Sequence, residues 1–180
     1  MFKKMLLVPS LILPLVSALA SGLVVADTVV EDYLQTPIKH GEADYKAMMW
    51  KIYRAELYSG DEVFSMDQPY ALKLTYARDI KGEDISDKSI ELIRRQGVED
   101  EVLLATWHSQ LDAIFPDVSE GTEIVGTHQK GEGAVFYVDG VEAGSLADPE
   151  LCRHFFGIWL AEDTKKPKLR ARLLGEDVDT

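Results

Sequence analysis

The sequence predicts a single domain of the α+β class, in which helices pack against a largely antiparallel sheet. Segments with the two-residue period of β-strands alternate with segments in which apolar residues recur every three or four positions. Their order along the chain is strands, helices, strands and helices, which indicates an α+β architecture. The 180 residues, 46% hydrophobic and 28% charged, suffice for one globular core.

Two strands are predicted in the first half of the chain. The first runs from Ala47 to Tyr58, with apolar side chains on both faces at its start and on one face later, and a turn follows at 59–61. The second strand has Lys73 and Thr75 on one face. Its other face is apolar and consists of Tyr70, Leu72, Leu74 and Tyr76.

Two helices are predicted in the middle of the chain. The first is capped by Asp84 or Ser86, carries Ile90 and Ile93, and ends at Gly97. The second stops before a proline. Its apolar stripe consists of Leu103, Trp107, Leu111 and Phe115. Both apolar stripes are expected to face the core.

The last third of the chain predicts a three-stranded meander. The strands cover 122–127, Ala134–Val138 and Val141–Ser145. The Asp139-Gly140 pair between the last two strands is a strong hairpin signal. The lone Gly-x-Gly at 131–133 is interpreted as the other turn rather than as a phosphate-binding loop.

Two helices are predicted to close the chain. One opens at Asp148-Pro149, and the other has Pro167 near its first turn and ends at Gly175. The apolar face of the first carries Leu151, Phe155, Ile158 and Trp159. Positive charge is concentrated near the second, at Lys165, Lys166, Lys168, Arg170 and Arg172. These cations form either a solvated face or a site for an anion or a partner, and Arg170 is expected to pair with a carboxylate of the preceding helix.

The N-terminus has the pattern of a secretory signal peptide. Lys3 and Lys4 precede an apolar run over 5–16, and small residues mark cleavage sites after Ala20 or after Ala26. We therefore expect a leader over 1–26, a single domain over 27–180 and a periplasmic or secreted protein. The alternative is an uncleaved membrane anchor, which the two prolines and the small residues of this segment disfavour.

Charge and cysteine content narrow the classes of partner. The net charge is -12, and loss of the two leader lysines would leave 17 basic against 31 acidic residues, a net charge of -14. Such a surface repels phosphate backbones and anionic headgroups, so neither nucleic acid nor a membrane is expected as a partner after leader cleavage. Cys152, the only cysteine, is expected to be a buried thiol.

Several motifs together resemble the bacterial exported branch of the chalcone isomerase-like family. They are KIYRAELY, YALKLTYARDI, IFPDVSEGTEIVG, FYVDGVEAG, FFGIWL and TKKPKLRARLLG, and they extend from about Gly41 to Gly175. The resemblance implies an open-faced β-sandwich, in which a long antiparallel sheet carries a helical layer on one face. It also implies a ligand cleft between the sheet and the helices.

The same resemblance supplies a test for catalysis. Chalcone isomerases of plants close a chalcone to a flavanone, and the family pattern implies an arginine and a tyrosine that stabilise the developing negative charge. Relatives that bind fatty acids hold the carboxylate with similar residues. This chain departs from the pattern: 41–46 contains no arginine, the tyrosine position holds Ile85, and a later donor position holds Leu92. Chalcone isomerase activity is therefore not expected.

Other chemistry finds little support in the sequence. The four histidines are not spaced as a zinc motif, and the acidic residues near Asp84 do not follow the spacing of a calcium loop. No metal and no cofactor are predicted.

Two main functions remain, with a third, an accessory protein acting through a protein partner, less favoured. The first is an exported, non-catalytic protein that binds a small apolar ligand such as a fatty acid or lipid. Its predicted cleft residues are Met48, Trp50, Ile52, Tyr53, Tyr76, Ile85, Leu92 and Trp107. The second is an isomerase or lyase for an enone substrate that uses Lys46, Tyr45 or Tyr53 in place of the family residues.

Overall fold

A computed structural model describes residues 25–176 of the chain, with side chains from residue 27 onward. The predicted leader lies almost entirely outside these residues, although the cleavage site after Ala26 falls in the first helix. The elements are α1 (Val25–Leu34), β1 (Ile38–Ala47), β2 (Trp50–Ser59), β3 (Tyr70–Tyr76), α2 (Gly82–Arg94), α3 (Glu101–Asp112), β4 (Glu123–Gln129), β5 (Gly133–Val138), β6 (Val141–Leu146), α4 (Pro149–Leu160) and α5 (Pro167–Leu173).

The sheet is a six-stranded meander in the order β1 to β6, and every neighbouring pair is antiparallel. This confirms the α+β class and the antiparallel sheet with its helical layer. Helix α2 packs on α3 and α4, and α4 packs in turn on β5 and β6. The inner face of the sheet and these helices enclose one core, in which the largest fully buried side chains are Trp107, Tyr70, Phe136 and Phe156. Cys152 is buried there, as expected.

The start of the first predicted strand requires correction. Residues 38–47 form a separate strand, and Met48 and Met49 form the two-residue turn between β1 and β2 rather than a buried segment. Strand β1 was missed because it lies at the sheet edge and carries glycine and charged residues, so it shows no two-residue period.

Helix α1, which the sequence did not predict, covers the outer face of the sheet. Val30 packs there against Ala71 and Val125. Beside this contact the Lys73 side chain is only 8% exposed, and its Nζ lies 2.7 Å from a carboxylate oxygen of Asp27 and 3.0 Å from one of Glu56. Burial lowers the pKa of Lys73, but the hydrogen bonds to the two carboxylates outweigh it and raise the pKa above its usual value.

Helix α5 packs closely against β1. A side chain at Gly41 would collide with the backbone oxygen of Arg172, so glycine is required where the strand and the helix meet. The sequence led us to expect an ion pair between Arg170 and a carboxylate, but Arg170 forms none within residues 27–176. Its Nε instead donates to the backbone oxygen of Leu160 at 2.9 Å and so satisfies a free carbonyl at the end of α4.

Among residues 25–176, no helix combines the length and the apolar character that crossing a membrane requires.

A buried histidine gives a prediction for the pH dependence of stability. One ring nitrogen of His154 lies 2.9 Å from Gln96 Oε1, and the other lies 2.8 Å from a guanidinium nitrogen of Arg153. Burial lowers the pKa of His154, and the adjacent positive charge lowers it further. The unfolded chain then binds a proton more readily than the folded one, so the free energy of unfolding falls as the pH drops below about 6.5.

We expect His154→Gln to reduce that pH dependence. Urea unfolding of both proteins between about pH 7.5 and 5.5, above the range in which ordinary carboxylates titrate, measures it. A wild-type stability that rises on acidification, or an unchanged slope in the variant, would contradict the assignment.

Candidate functional site

A cavity of about 310 Å³ lies between the inner face of the sheet and the helical layer. Its sheet wall is formed by Leu72, Leu74, Tyr76, Ile124, Gly126 and Phe136. Its helical wall is formed by Ile85, Leu92, Phe155, Phe156, Ile158 and Trp159. The volume is within the range of small-molecule sites, and the walls are mostly hydrocarbon and aromatic.

Two local irregularities shape the sheet wall. The pairing of β1 with β2 shifts register after Tyr45, and Ile52 is the extra residue on β2. Ile52 and Tyr53, which are adjacent in sequence, therefore both line the cavity. On β4, a side chain at Gly126 would come within 2.9 Å of the Phe136 ring, so glycine is needed for the aromatic packing behind the cavity.

Three tyrosines cross one end of the sheet wall in a row. Tyr45, Tyr53 and Tyr76 are direct partners on the neighbouring strands β1, β2 and β3. Their ring centroids are 5.0 Å and 5.9 Å apart along the row. All three line the cavity, which therefore has one end with phenolic groups and a remainder that is mainly apolar. We call these residues the tyrosine row.

Tyr53 and Tyr76 are the two buried members of the row. Burial raises the pKa of Tyr53 and of Tyr76 far above the usual value. The Tyr53 hydroxyl accepts a hydrogen bond from Trp159 Nε1 at 3.0 Å, and among the described residues it has no acceptor for its own proton. The Tyr76 hydroxyl makes no hydrogen bond to any described residue. Both groups are suited to donate to an oxygen atom of a ligand.

The mouth of the cavity carries cations. Lys166 Nζ lies 3.2 Å from the centroid of the Tyr45 ring, and no carboxylate within residues 27–176 forms an ion pair with it. Lys88 is also on the rim, but its Nζ is paired with Glu91 at 2.6 Å. Asp84 lies on the same exposed rim. Lys166 is thus the unpaired cation at the end of the cavity that holds the tyrosine row.

The structure brings together most of the residues that the sequence singled out. The predicted cleft residues that line the cavity are Ile52, Tyr53, Tyr76, Ile85 and Leu92, and Tyr45 joins them. The two positions at which the family pattern implied polar groups therefore do face the cavity, and they are apolar here.

Four predicted site residues do not line this cavity. Met48 and Trp50 are exposed at the tip of the β1–β2 hairpin, because the chain reverses where a buried strand was expected. Trp107 is fully buried, and its Nε1 donates to Asp148 at 2.9 Å, which ties α3 to the start of α4. Lys46 is exposed on β1 and does not line the cavity.

The sequence did not single out Lys166 as a site residue. In the sequence, Lys166 is one of several basic residues near α5, and it lies about 120 residues from Tyr45. The contact depends on α5 packing beside β1, so no local pattern could reveal it.

The polar groups at the cavity can bind a ligand through hydrogen bonds and charge. The hydroxyl of Ser89, on the cavity wall, donates to the backbone oxygen of Ile85 at 2.8 Å, and no basic side chain among the described residues forms a hydrogen bond with it. Within residues 27–176, no three His, Cys, Asp or Glu side chains are arranged to hold a metal ion. The arrangement can enclose an apolar chain and hold an oxygen-bearing head group near Lys166.

The chain resembles known proteins in sequence profile and in fold. A family model described as chalcone isomerase-like matches residues 40–175. Among solved structures, the crystal structure of a fatty-acid binding protein from Arabidopsis thaliana superposes with a TM-score of 0.55 at 14% identity. The match covers 79% of this chain and 86% of that chain, and at this identity it shows a shared fold. No curated protein sequence matches the chain significantly.

Proposed function

The chain belongs to the chalcone isomerase-like family, and we propose that it is a non-catalytic member that binds a fatty acid or a similar lipid. The observation that carries the proposal is the apolar cavity of about 310 Å³, with an unpaired lysine at the end that holds the tyrosine row. The fold shared with a fatty-acid binding protein supports it. The leader-like N-terminus further supports an exported protein that works in the periplasm or outside the cell.

The proposed ligand lies with its carboxylate at the cavity mouth and its tail inside. Lys166 supplies the positive charge, and the phenols of the tyrosine row supply hydrogen-bond donors. The tail contacts the apolar wall between β3, β4 and α4. Each methylene group transferred from water to such a wall contributes about 0.8 kcal/mol, or about a fourfold gain in affinity.

The protonation of the buried tyrosines and the position of Lys46 favour binding over catalysis. A tyrosine that acts as a general base must lose its proton, and burial opposes this at Tyr53 and Tyr76. Lys46, the cation proposed for an enone isomerase, lies outside the cavity. Neither observation hinders a binding protein.

Uptake of dodecanoic acid and of dodecanol by delipidated protein tests the proposal. Wild type should bind the acid more tightly than the alcohol, because only the acid pairs with Lys166. Lys166→Met should weaken binding of the acid about tenfold and leave the alcohol nearly unchanged, since a partly desolvated charge pair is worth about 1.5 kcal/mol. Isothermal titration calorimetry gives both affinities.

Lys168→Met is the matched control, because Lys168 is exposed on α5 and does not line the cavity. The control should bind both ligands as wild type does. Failure of the wild-type protein to take up either ligand would refute the proposed function. An equal loss for acid and alcohol in Lys166→Met would refute the assigned orientation.

A further inference from the structure

The tip of the β1–β2 hairpin exposes large apolar side chains to solvent. Met48 is 97% exposed, Met49 90% and Trp50 65%. Other exposed large apolar residues, such as Val63 and Val102, stand singly, whereas these three are consecutive. Water-exposed clusters of this kind mark surfaces that contact another phase or molecule.

The backbone conformation of the turn does not favour methionine at position 48. Met48 has a φ of 56°, a conformation that glycine adopts readily and that L-residues with long side chains rarely adopt. Glycine is the residue that such a hairpin position favours. Met48 therefore does not serve the folding of the hairpin, and its side chain points to a role in contact.

Positive charges surround the tip, although the chain as a whole is acidic. Lys46 and Lys51 are cross-strand partners just below the turn, and the Arg78 guanidinium carbon lies 5.6 Å from the centroid of the Trp50 ring. Lys51 pairs with Asp44 at 2.9 Å. No ion pair involves Lys46 or Arg78 within the part of the chain that the structure describes. An apolar tip with unpaired cations is complementary to an anionic lipid surface.

The tip adjoins the mouth of the cavity. Ala47, the residue before the turn, lines the cavity, as does Tyr45 two positions earlier. A surface that held Met48 and Met49 would therefore lie beside the opening through which a ligand enters.

We propose that the β1–β2 hairpin tip inserts into the headgroup region of an anionic bilayer and places the cavity mouth at the lipid surface. The negative net charge of the chain led us to expect no membrane partner. Net charge is a sum over the whole surface, however, and does not report the local positive charge at the hairpin tip. Insertion itself is independent of the proposed function, whereas transfer of a fatty acid between bilayer and cavity rests on it.

Vesicle co-sedimentation tests the insertion. Wild type should co-sediment with vesicles of phosphatidylglycerol and phosphatidylethanolamine, and less with phosphatidylcholine alone. A Met48→Gly/Met49→Ser variant, which gives the turn a favoured sequence and so should fold, is expected to bind about tenfold more weakly. Arg78→Gln should weaken binding to the anionic vesicles about fivefold and leave binding to phosphatidylcholine unchanged.

A Val63→Ser/Val102→Ser variant removes exposed apolar groups away from the tip and should co-sediment as wild type does. Trp50 gives a second measurement, because the other two tryptophans are buried. Its emission should shift to shorter wavelength with anionic vesicles, and Trp50→Phe should remove the shift. Absence of wild-type co-sedimentation, or equal loss in the tip and valine variants, would overturn the proposal.

Two further outcomes separate this proposal from others. A wild-type dimer that dissociates on substitution of the tip would show that a second copy covers it, and would overturn membrane insertion. Dodecanoic acid binding without vesicles should be unchanged in the tip variant. If the protein binds vesicles but not dodecanoic acid, the proposed function fails and the membrane-docking surface stands. If it binds dodecanoic acid but not vesicles, the docking surface fails and the proposed function stands.

Discussion

Substitution of Ile85 by tryptophan is expected to weaken the binding of dodecanoic acid more than a hundredfold. Ile85 lies on the cavity-facing side of α2 and is only partly buried, so the larger ring can be accommodated by filling the cavity rather than by disrupting the core. If the indole displaces about four methylene groups of the ligand, binding weakens by about 3 kcal/mol, or more than a hundredfold. Calorimetric titration with dodecanoic acid measures the loss.

Leu103→Trp provides the matched control for this prediction. Leu103 is a partly buried residue of the neighbouring helix α3 and does not line the cavity. The control should retain wild-type affinity and should report any general effect of an added indole. Wild-type affinity in Ile85→Trp would show that the ligand lies elsewhere, even if the protein binds fatty acids.

Lys73→Met is expected to destabilise the fold by about 3 kcal/mol, because it removes the buried one of two lysines that pair with a buried carboxylate. Glu56 is the group at risk, since its side chain is only 12% exposed and its Oε2 lies 3.0 Å from Lys73 Nζ. Methionine preserves most of the packing of the lysine stem, so the loss reports the charge. Chemical denaturation at neutral pH measures it.

Lys39 makes the second ion pair of Glu56 and supplies the control. Because its side chain is 38% exposed, Lys39→Met should cost less than about 1 kcal/mol. Combining Lys73→Met with Glu56→Leu should recover part of the loss, since the double variant has no buried carboxylate at that position. A cost below 1 kcal/mol for Lys73→Met alone would contradict the interpretation.

Much of the fold could be predicted from local patterns. In β3, alternation placed Leu72 and Leu74 on the inner face and Lys73 on the outer face, and the structure confirms this. The Asp139-Gly140 turn and the start of α4 after Asp148 are confirmed as well. Each of these signals lies within a few residues, where side-chain chemistry alone decides which face is buried or where a helix is capped.

Prediction failed where burial depends on distant parts of the chain. The run Met48-Met49-Trp50 has the composition of a buried strand, yet it forms an exposed turn and the exposed first residue of β2. Conversely, Lys73 is polar but buried, because α1 and the carboxylate of Glu56 cover it. The chemical type of a residue indicates whether burial of its side chain is favourable. Whether the side chain is actually buried depends on neighbours that are remote in sequence.

The sequence by itself determined the α+β class, the family and the apolar character of the positions where a family catalyst would have polar groups. Ile85 and Leu92 were identified on a helix, with their role in a cleft inferred by resemblance. Only the tertiary structure brought Tyr45, Tyr53 and Tyr76 into one row, because strand register joins residues from three strands. It also placed Lys166 over the end of that row through the packing of α5 beside β1. Periodicity is a local property of the chain, whereas a binding site is assembled from contacts between segments that only folding brings together.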